Sequence, residues 1–294
     1  MIIETVEKPL GPVPDAEKLN WADRFSIMKR QGRKIAVLTA YDAPTAKAEE
    51  ESGIDLILVG DSVGTNILGY ASEKEVTLPD IGHHVGAVRR GAPHTPIVAD
   101  LPYRTYETPA ETVANARKLI AAGADMVKFE GPRPDLVKAL VQEGMAVCGH
   151  LGLMPQHHAD RRLKGRKAQE ALQLVMDAIA LDQAGITMLV LELVPEEVAA
   201  LVSRVVKAPT IGIGAGSKTD GQVLVITDVL GLGEDNFRHS LRYQRVGSLM
   251  REATKTYAAD VRAQSFPTAD NSYSMDKEEL AILKGEIARR LGTV

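Results

Sequence analysis

Five apolar stretches of the chain each run into a single ionisable side chain: DLILVGD at Asp61, TPIVAD at Asp100, ADMVKFE at Glu130, MAVCGH at His150 and TMLVLE at Glu192. A parallel strand covered by helices on both faces reads as a nearly unbroken Val/Ile/Leu run, so a charge at its carboxyl end calls for a chemical reason. Three carboxylates gathered at one place, Asp61, Asp100 and Glu130, would repel one another, and removing them from water costs roughly several kcal/mol per ion. A divalent cation compensates that repulsion. All-oxygen ligation favours magnesium or another hard ion, which keeps some waters and takes one or two direct carboxylates, so one of the three, such as Glu130, would act through water. The competing reading is that each carboxylate caps the helix after its strand.

Alternation along a strand extends the set. Lys128 shares a face with Glu130, and Cys148 shares one with His150; if Asp61 faces inward, so do Val59 and Ile57, with Leu58 and Leu56 turned outward. Lys128 could hold a substrate carboxylate or an enolate oxygen, or it could form a salt bridge that neutralises Glu130. Glu192 ends the most apolar stretch, where a carboxyl group is pushed up in pKa and suits a general base acting on a weak carbon acid; a structural glutamate paired with an arginine is the alternative. His150 could orient a substrate oxygen or be a satisfied core histidine, and a second histidine would be needed for a transition-metal site. Ser62 offers a hydroxyl and a backbone N–H beside Asp61, or a plain helix N-cap. GIGAG (212–216) has the look of an anion-cradling turn. Cys148 sits inside its stretch with no helix N-terminus to activate it and reads as core.

These residues need a scaffold that brings distant segments together. KIAVLTA (34–40), the five stretches above, PTIGIG (209–214) and the weaker QVLVIT (222–227) alternate with segments of 3.6-residue apolar spacing at 43–53, 109–123, 133–144, 169–185 and 196–206, several ending in Gly. Strand and helix repeated about eight times predict a single-domain (β/α)8 TIM-type barrel, whose active site lies at the carboxyl ends of the strands. No GxGxxG follows the first strand, which argues against a dinucleotide fold. The predicted organisation is an N-terminal arm over 1–20 and a barrel domain over 21–294, with extra helices after about Asp235 and a loop near 265–275.

Composition narrows the classes. With 294 residues and 45% hydrophobic content the chain can bury a full core. Lys and Arg number 35 against 39 acidic residues, a formal charge of -4 with no basic aromatic stripe, so nucleic acid is not expected as a partner. One cysteine excludes an internal disulfide and a multi-cysteine zinc site and suits a reducing compartment. Neither a signal peptide nor a run of 18 apolar residues is evident, and a cytoplasmic protein without membrane attachment is expected.

The segments 38–64, 87–103, 115–131, CGHLGLMPQ (148–156), LVLELVPEEVA (189–199), 208–232 and FPTADNSYSM (266–275) together resemble the ketopantoate hydroxymethyltransferase family, in order and with similar spacing from Ile35 to Met275. GDS, ADLPY, VKFEG, GHLGL and GIGAG are required jointly, which makes the resemblance specific. It implies a barrel of the phosphoenolpyruvate mutase/isocitrate lyase-like kind. It also implies transfer of a hydroxymethyl group from 5,10-methylenetetrahydrofolate to 3-methyl-2-oxobutanoate, giving 2-dehydropantoate in pantothenate biosynthesis. By the same resemblance Asp61, Asp100 and Glu130 hold Mg2+, the 2-oxo acid meets Asp61, Ser62, Asp100 and Lys128, and Glu192 is the proton acceptor. A cytoplasmic homo-oligomer, a decamer in the family, is implied as well. The alternatives are another Mg2+-dependent 2-oxo acid lyase or mutase of that barrel type, and a non-catalytic 2-oxo acid-binding relative.

The chain departs from the family pattern at Met154, where Thr is usual, at Tyr70, where His is usual, and over HHADRRLKGRKAQ (157–169). That last segment carries Arg161, Arg162, Lys164, Arg166 and Lys167, a charge run that reads as a solvated surface or as an attractor for a folate glutamate tail.

Overall fold

The computed structural model describes residues 21–158, 162–233 and 237–292; the arm expected over 1–20, and Arg161 of the charge run, lie outside them. Eight strands form a closed barrel in chain order. They are β1 (Ile35–Thr39), β2 (Leu56–Val59), β3 (Ile97–Asp100), β4 (Met126–Lys128), β5 (Ala146–Gly152), β6 (Met188–Glu192), β7 (Thr210–Ile213) and β8 (Gly221–Leu224). Every pairing is parallel, and β8 returns to β1 through Ile35↔Gly221 to Leu38↔Leu224. The longest register joins β5 to β6, where His150 lies opposite Val190 and Gly152 opposite Glu192.

Helices α1 (Trp21–Arg30), α2 (Ala43–Glu51), α3 (Leu78–Gly91), α4 (Pro109–Ala122), α5 (Pro134–Gln142), α6 (Ala168–Ala184), α7 (Glu196–Val205) and α8 (Ile226–Leu230) accompany the strands. Their starts follow familiar chemistry: Asp42 accepts from the Thr45 N–H ahead of α2, Thr108 caps α4, and Thr77 and Asp80 form a reciprocal box ahead of α3. None of these caps is Asp61, Asp100 or Glu130, which removes the capping account of the three carboxylates.

Two cores result. Ile57, Val59, Ile97, Ala99, Val127, Val147, Leu189 and Leu191 pack outward among the helix residues. Leu56, Leu58, Val98, Met126, Cys148, Met188, Val190, Ile211 and Val223 fill the barrel, and Phe25 and Met28 of α1 join them. The inward set bears out the shared face expected for Cys148 and His150, and by the same alternation it puts Asp100, Lys128 and Glu192 inward. It corrects β2, where Leu56 and Leu58 face inward and Ile57 and Val59 face the helices. The strand stops at Val59, so alternation does not carry through Gly60 to Asp61, which reaches the mouth by a turn instead. The expected strand at 222–227 is likewise cut short, because Ile226 already begins α8.

Residues 244–292 form a separate compact unit. It holds α9 (Val246–Arg262), a short 3-10 turn at Ala269–Asn271 and α10 (Lys277–Leu291), whose N-terminus is capped by Asp276. Among the described residues no helix is long and apolar enough to cross a membrane.

Candidate active site

The ends of five successive strands, β2 to β6, bring the ionisable residues into one connected group. The Lys128 Nζ lies 2.5 Å from Asp100 Oδ1, both side chains being almost fully buried. Asp100 Oδ2 accepts from the Asp61 backbone N–H at 3.0 Å. Asp61 Oδ2 accepts from Gln156 Nε2 at 2.7 Å, and the Gln156 backbone N–H donates to Glu130 Oε2 at 3.0 Å. His150 continues the series, with Nδ1 3.7 Å from Glu130 Oε1 and Nε2 3.3 Å from Glu192 Oε2. Residues at or just after the ends of β2, β3, β4, β5 and β6, joined through Gln156, thus form one continuous series, and Ser62 stands beside it with its Oγ 2.8 Å from the Tyr41 hydroxyl.

Burial dominates the electrostatics. Burial, reinforced by the Asp100 charge, pushes the Asp61 carboxyl up to about 7. Burial and then the Asp61 charge push Glu130 up to about 9. For Lys128 burial alone would favour the neutral amine, yet the carboxylates of Asp100, Asp61 and Glu130 overrule it and hold the ammonium well above its ordinary range. Four carboxyl groups against one lysine leave the mouth short of positive charge. Both ring nitrogens of His150 are buried without a hydrogen bond of acceptable geometry. Cys148 is buried, and burial pushes its thiol up to about 12, as expected of a core residue rather than a nucleophile.

A cavity of about 1330 Å³ opens over this group; it is lined by Asp61, Ser62, Asp100, Lys128, Glu130, His150 and Glu192, and its outer wall includes Leu163, Pro195 and Phe237. Glu192 is less buried than Asp61, Asp100 and Glu130, with a side chain 20% exposed. The next residue, Leu193, holds a left-handed backbone at φ 44, which costs a branched side chain about 1–3 kcal/mol and recurs where a site over-determines the chain. Its N–H donates to the Ile213 carbonyl and its carbonyl accepts from the Lys164 N–H, both at 2.9 Å.

Two expectations change. Ser62 is no helix cap, since its hydroxyl is engaged with Tyr41. Among the described residues the GIGAG turn itself cradles no anion; the residue after it, Ser217, donates its N–H and hydroxyl to Glu196 Oε1 and holds that carboxyl below its usual range. Gly216 lies at φ 75 where a Cβ would overlap the Glu196 side chain, so the glycine serves that packing. Of the basic run, Arg162, Arg166 and Lys167 are exposed and Lys164 is half-buried. Tyr41, Tyr106 and Gln156 are site neighbours that sequence reasoning did not single out.

Known proteins match this chain at two levels, sequence and fold. A family model described as Ketopantoate hydroxymethyltransferase matches residues 21–269. The chain belongs to the ketopantoate hydroxymethyltransferase family. It is 46% identical over 260 residues to the 3-methyl-2-oxobutanoate hydroxymethyltransferase of Roseiflexus sp. (strain RS-1), covering 86% of this chain and 94% of that protein. It is 47% identical over 249 residues to the protein of the same name from Ignicoccus hospitalis, covering 82% and 95%. As a member of the ketopantoate hydroxymethyltransferase family it is an enzyme, a one-carbon transferase. Among solved structures, a phosphonopyruvate hydrolase in complex with oxalate and Mg++ superposes with a TM-score of 0.58 at 11% identity, covering 93% of this chain and 99% of that one. A 2,3-dimethylmalate lyase of the PEP mutase/isocitrate lyase superfamily gives 0.57 at 15%, covering 91% and 99%. These likenesses establish the barrel type that the ketopantoate hydroxymethyltransferase chain shares.

Proposed function

We infer that this chain transfers a hydroxymethyl group from 5,10-methylenetetrahydrofolate to C3 of 3-methyl-2-oxobutanoate, giving 2-dehydropantoate for pantothenate biosynthesis. The observation that carries the site assignment is the continuous series Lys128–Asp100–Asp61–Gln156–Glu130–His150–Glu192, a cation-seeking cluster at one end and a carboxylate base at the other.

The donor set fits Mg2+. Among the described residues no three His, Cys, Asp or Glu side chains stand as a ready ligand shell. The set is all-oxygen, and a magnesium ion takes one or two carboxylates and fills its other positions with water and substrate oxygens. Asp61 and Asp100 are the direct ligands and Glu130 the one that acts through water, all three buried and in excess of the positive charge available. When bound, the ion supplies Lewis-acid polarisation of the carboxylate and keto oxygens of the 2-oxo acid.

The chain's own residues then do the following. Ser62 and Lys128 orient the 2-oxo acid, and the buried Lys128 ammonium balances the charge that gathers on oxygen as the C3–H bond breaks; one such fixed contact is worth about 3–4 kcal/mol. Glu192 accepts the C3 proton, with the His150 Nε2 3.3 Å from its carboxylate. The resulting carbon nucleophile bonds to the one-carbon unit, a water delivers the hydroxyl oxygen as the bonds to the donor nitrogens break, and tetrahydrofolate departs. A cavity of about 1330 Å³ is larger than a small 2-oxo acid needs and supports entry of a second, folate-sized substrate. The chain works as a homo-oligomer, the decamer of its family: the 244–292 unit exposes Leu249, Met250, Tyr257 and Tyr273, apolar surface that a further copy would cover.

The test incubates purified protein with 3-methyl-2-oxobutanoate, methylenetetrahydrofolate and Mg2+ and identifies the product by mass. The expected product is 2-dehydropantoate, formed only with all three present; its absence overturns the reading.

A further inference from the structure

Gln156 is 1% exposed and lies in the loop after β5, outside every strand, yet every hydrogen-bonding group of its amide is committed. Its Nε2 donates to Asp61 Oδ2 at 2.7 Å and to the Leu101 carbonyl at 3.2 Å. Its backbone N–H donates to Glu130 Oε2 at 3.0 Å. Its Oε1 accepts from the buried Tyr106 hydroxyl, which also lies 3.0 Å from His157 Nε2. The Tyr106 ring is in turn packed against Phe129 with centroids 5.6 Å apart.

We propose that Gln156, oriented by Tyr106, is the positioning residue that fixes the carboxyl planes of Asp61 and Glu130 for a divalent cation. The proposal rests on the reading of Asp61, Asp100 and Glu130 as the cation site.

The chemistry selects an amide. In the ionised form that holds a cation a carboxylate has no proton to give, and Lys128 already donates to Asp100 Oδ1, so Asp61 Oδ2 and Glu130 Oε2 take their donors from Gln156. A charge-assisted bond to one oxygen fixes the rotation of the carboxyl plane and so the direction in which its other oxygen points. The Tyr106 proton can go only to an acceptor, which sets the amide with its oxygen toward Tyr106 and its NH2 toward Asp61. One residue thereby ties together two carboxylates that stand 95 and 26 positions from it in the chain. Partners of this kind orient the ligands themselves, and losing one lowers metal affinity by about 10–100-fold.

The experiment measures Mn2+ binding to the full chain, without substrates, from the loss of the free-ion electron paramagnetic resonance signal. Wild type, Asp61→Asn, Gln156→Met and Tyr106→Phe are compared. Gln156→Met keeps the shape and the backbone N–H to Glu130 and should raise the Mn2+ Kd about 10–100-fold; Tyr106→Phe, which removes one oxygen, should raise it about threefold or more. In steady-state assays the rate lost in Gln156→Met should return as Mg2+ is raised, with the KM for 3-methyl-2-oxobutanoate at saturating Mg2+ unchanged. A purely structural defect would not be rescued by the ion, so a loss that persists at saturating Mg2+ overturns the proposal, as does a Mn2+ Kd within about twofold of wild type. If Gln156→Met does not fold, Tyr106→Phe decides: a raised Kd supports the proposal and an unchanged one overturns it. Failure of the underlying metal reading looks different, because wild type then binds no Mn2+ or Asp61→Asn binds it equally well.

Discussion

Raising the pH of the metal-free protein should unfold it progressively, and Mg2+ should prevent this. Asp61 and Glu130 have ordinary values of 3.8 and 4.5 and are pushed up to about 7 and about 9 in the fold. Above pH 4.5 the unfolded chain releases protons that the folded chain keeps, so their stabilisation is complete below the unfolded values. It is lost as pH rises, through Asp61 near pH 7 and through Glu130 near pH 9. Each retained proton is worth about 1.4 kcal/mol per pH unit. The two carboxyls sense each other's charge, so a single proton gives the floor: about 3 kcal/mol lost between pH 5 and pH 7, a large part of an ordinary domain's stability. Both side chains are buried, so solvent screening gives no discount. Denaturant titrations of chelator-treated protein at a series of pH values, with and without Mg2+, provide the assay. The cation favours the ionised carboxylates, so its presence should flatten the slope across this range. Stability that is level or rising from pH 5 to pH 7 without metal would refute the picture of a buried, uncompensated carboxylate cluster.

Glu49 of α2 should give a second slope that Mg2+ does not touch. Both its carboxyl oxygens are buried without a hydrogen bond, and burial, with Asp42 adding to it, pushes it up to about 8 from 4.5. Glu49→Gln should therefore remove about 1.4 kcal/mol per pH unit of the stability loss between those values, read in the same titrations as a variant more stable than wild type at pH 8 and indistinguishable at pH 4.5. Gly152 sits at φ 99, where a Cβ would overlap the Glu192 carbonyl and Val194. Gly152→Ala should displace Glu192 and lower kcat by about tenfold or more, with circular dichroism showing the fold retained.

Much of the barrel was legible because strand ends carry a strong signal: an apolar run that stops at one charge. Lys128 and His150 followed from two-residue alternation, and Asp100 and Glu192 from their place as strand ends, because β3, β4, β5 and β6 each continue up to or past them. Asp61 could not be placed in that way, since β2 stops at Val59 and a turn carries the carboxylate inward. Helix α3 escaped the periodicity reading because Gly82, His83, His84 and Gly86 dilute its apolar stripe of Ile81, Val85 and Val88. Tyr41, Tyr106 and Gln156 were invisible for a different reason. They act by hydrogen bonds made across the mouth from non-strand segments, and the only local signal for Gln156 is a polar residue shortly after a strand that carries a buried histidine.

Exchange of the C3 hydrogen of 3-methyl-2-oxobutanoate with deuterium oxide, followed by proton magnetic resonance with Mg2+ present and the folate omitted, probes the base directly. The wild-type protein should catalyse the exchange, and Glu192→Gln should bind Mn2+ and the 2-oxo acid normally while losing about 10²–10⁴-fold in exchange rate. Undiminished exchange in Glu192→Gln would contradict the assignment of the carboxylate that faces the cluster across His150.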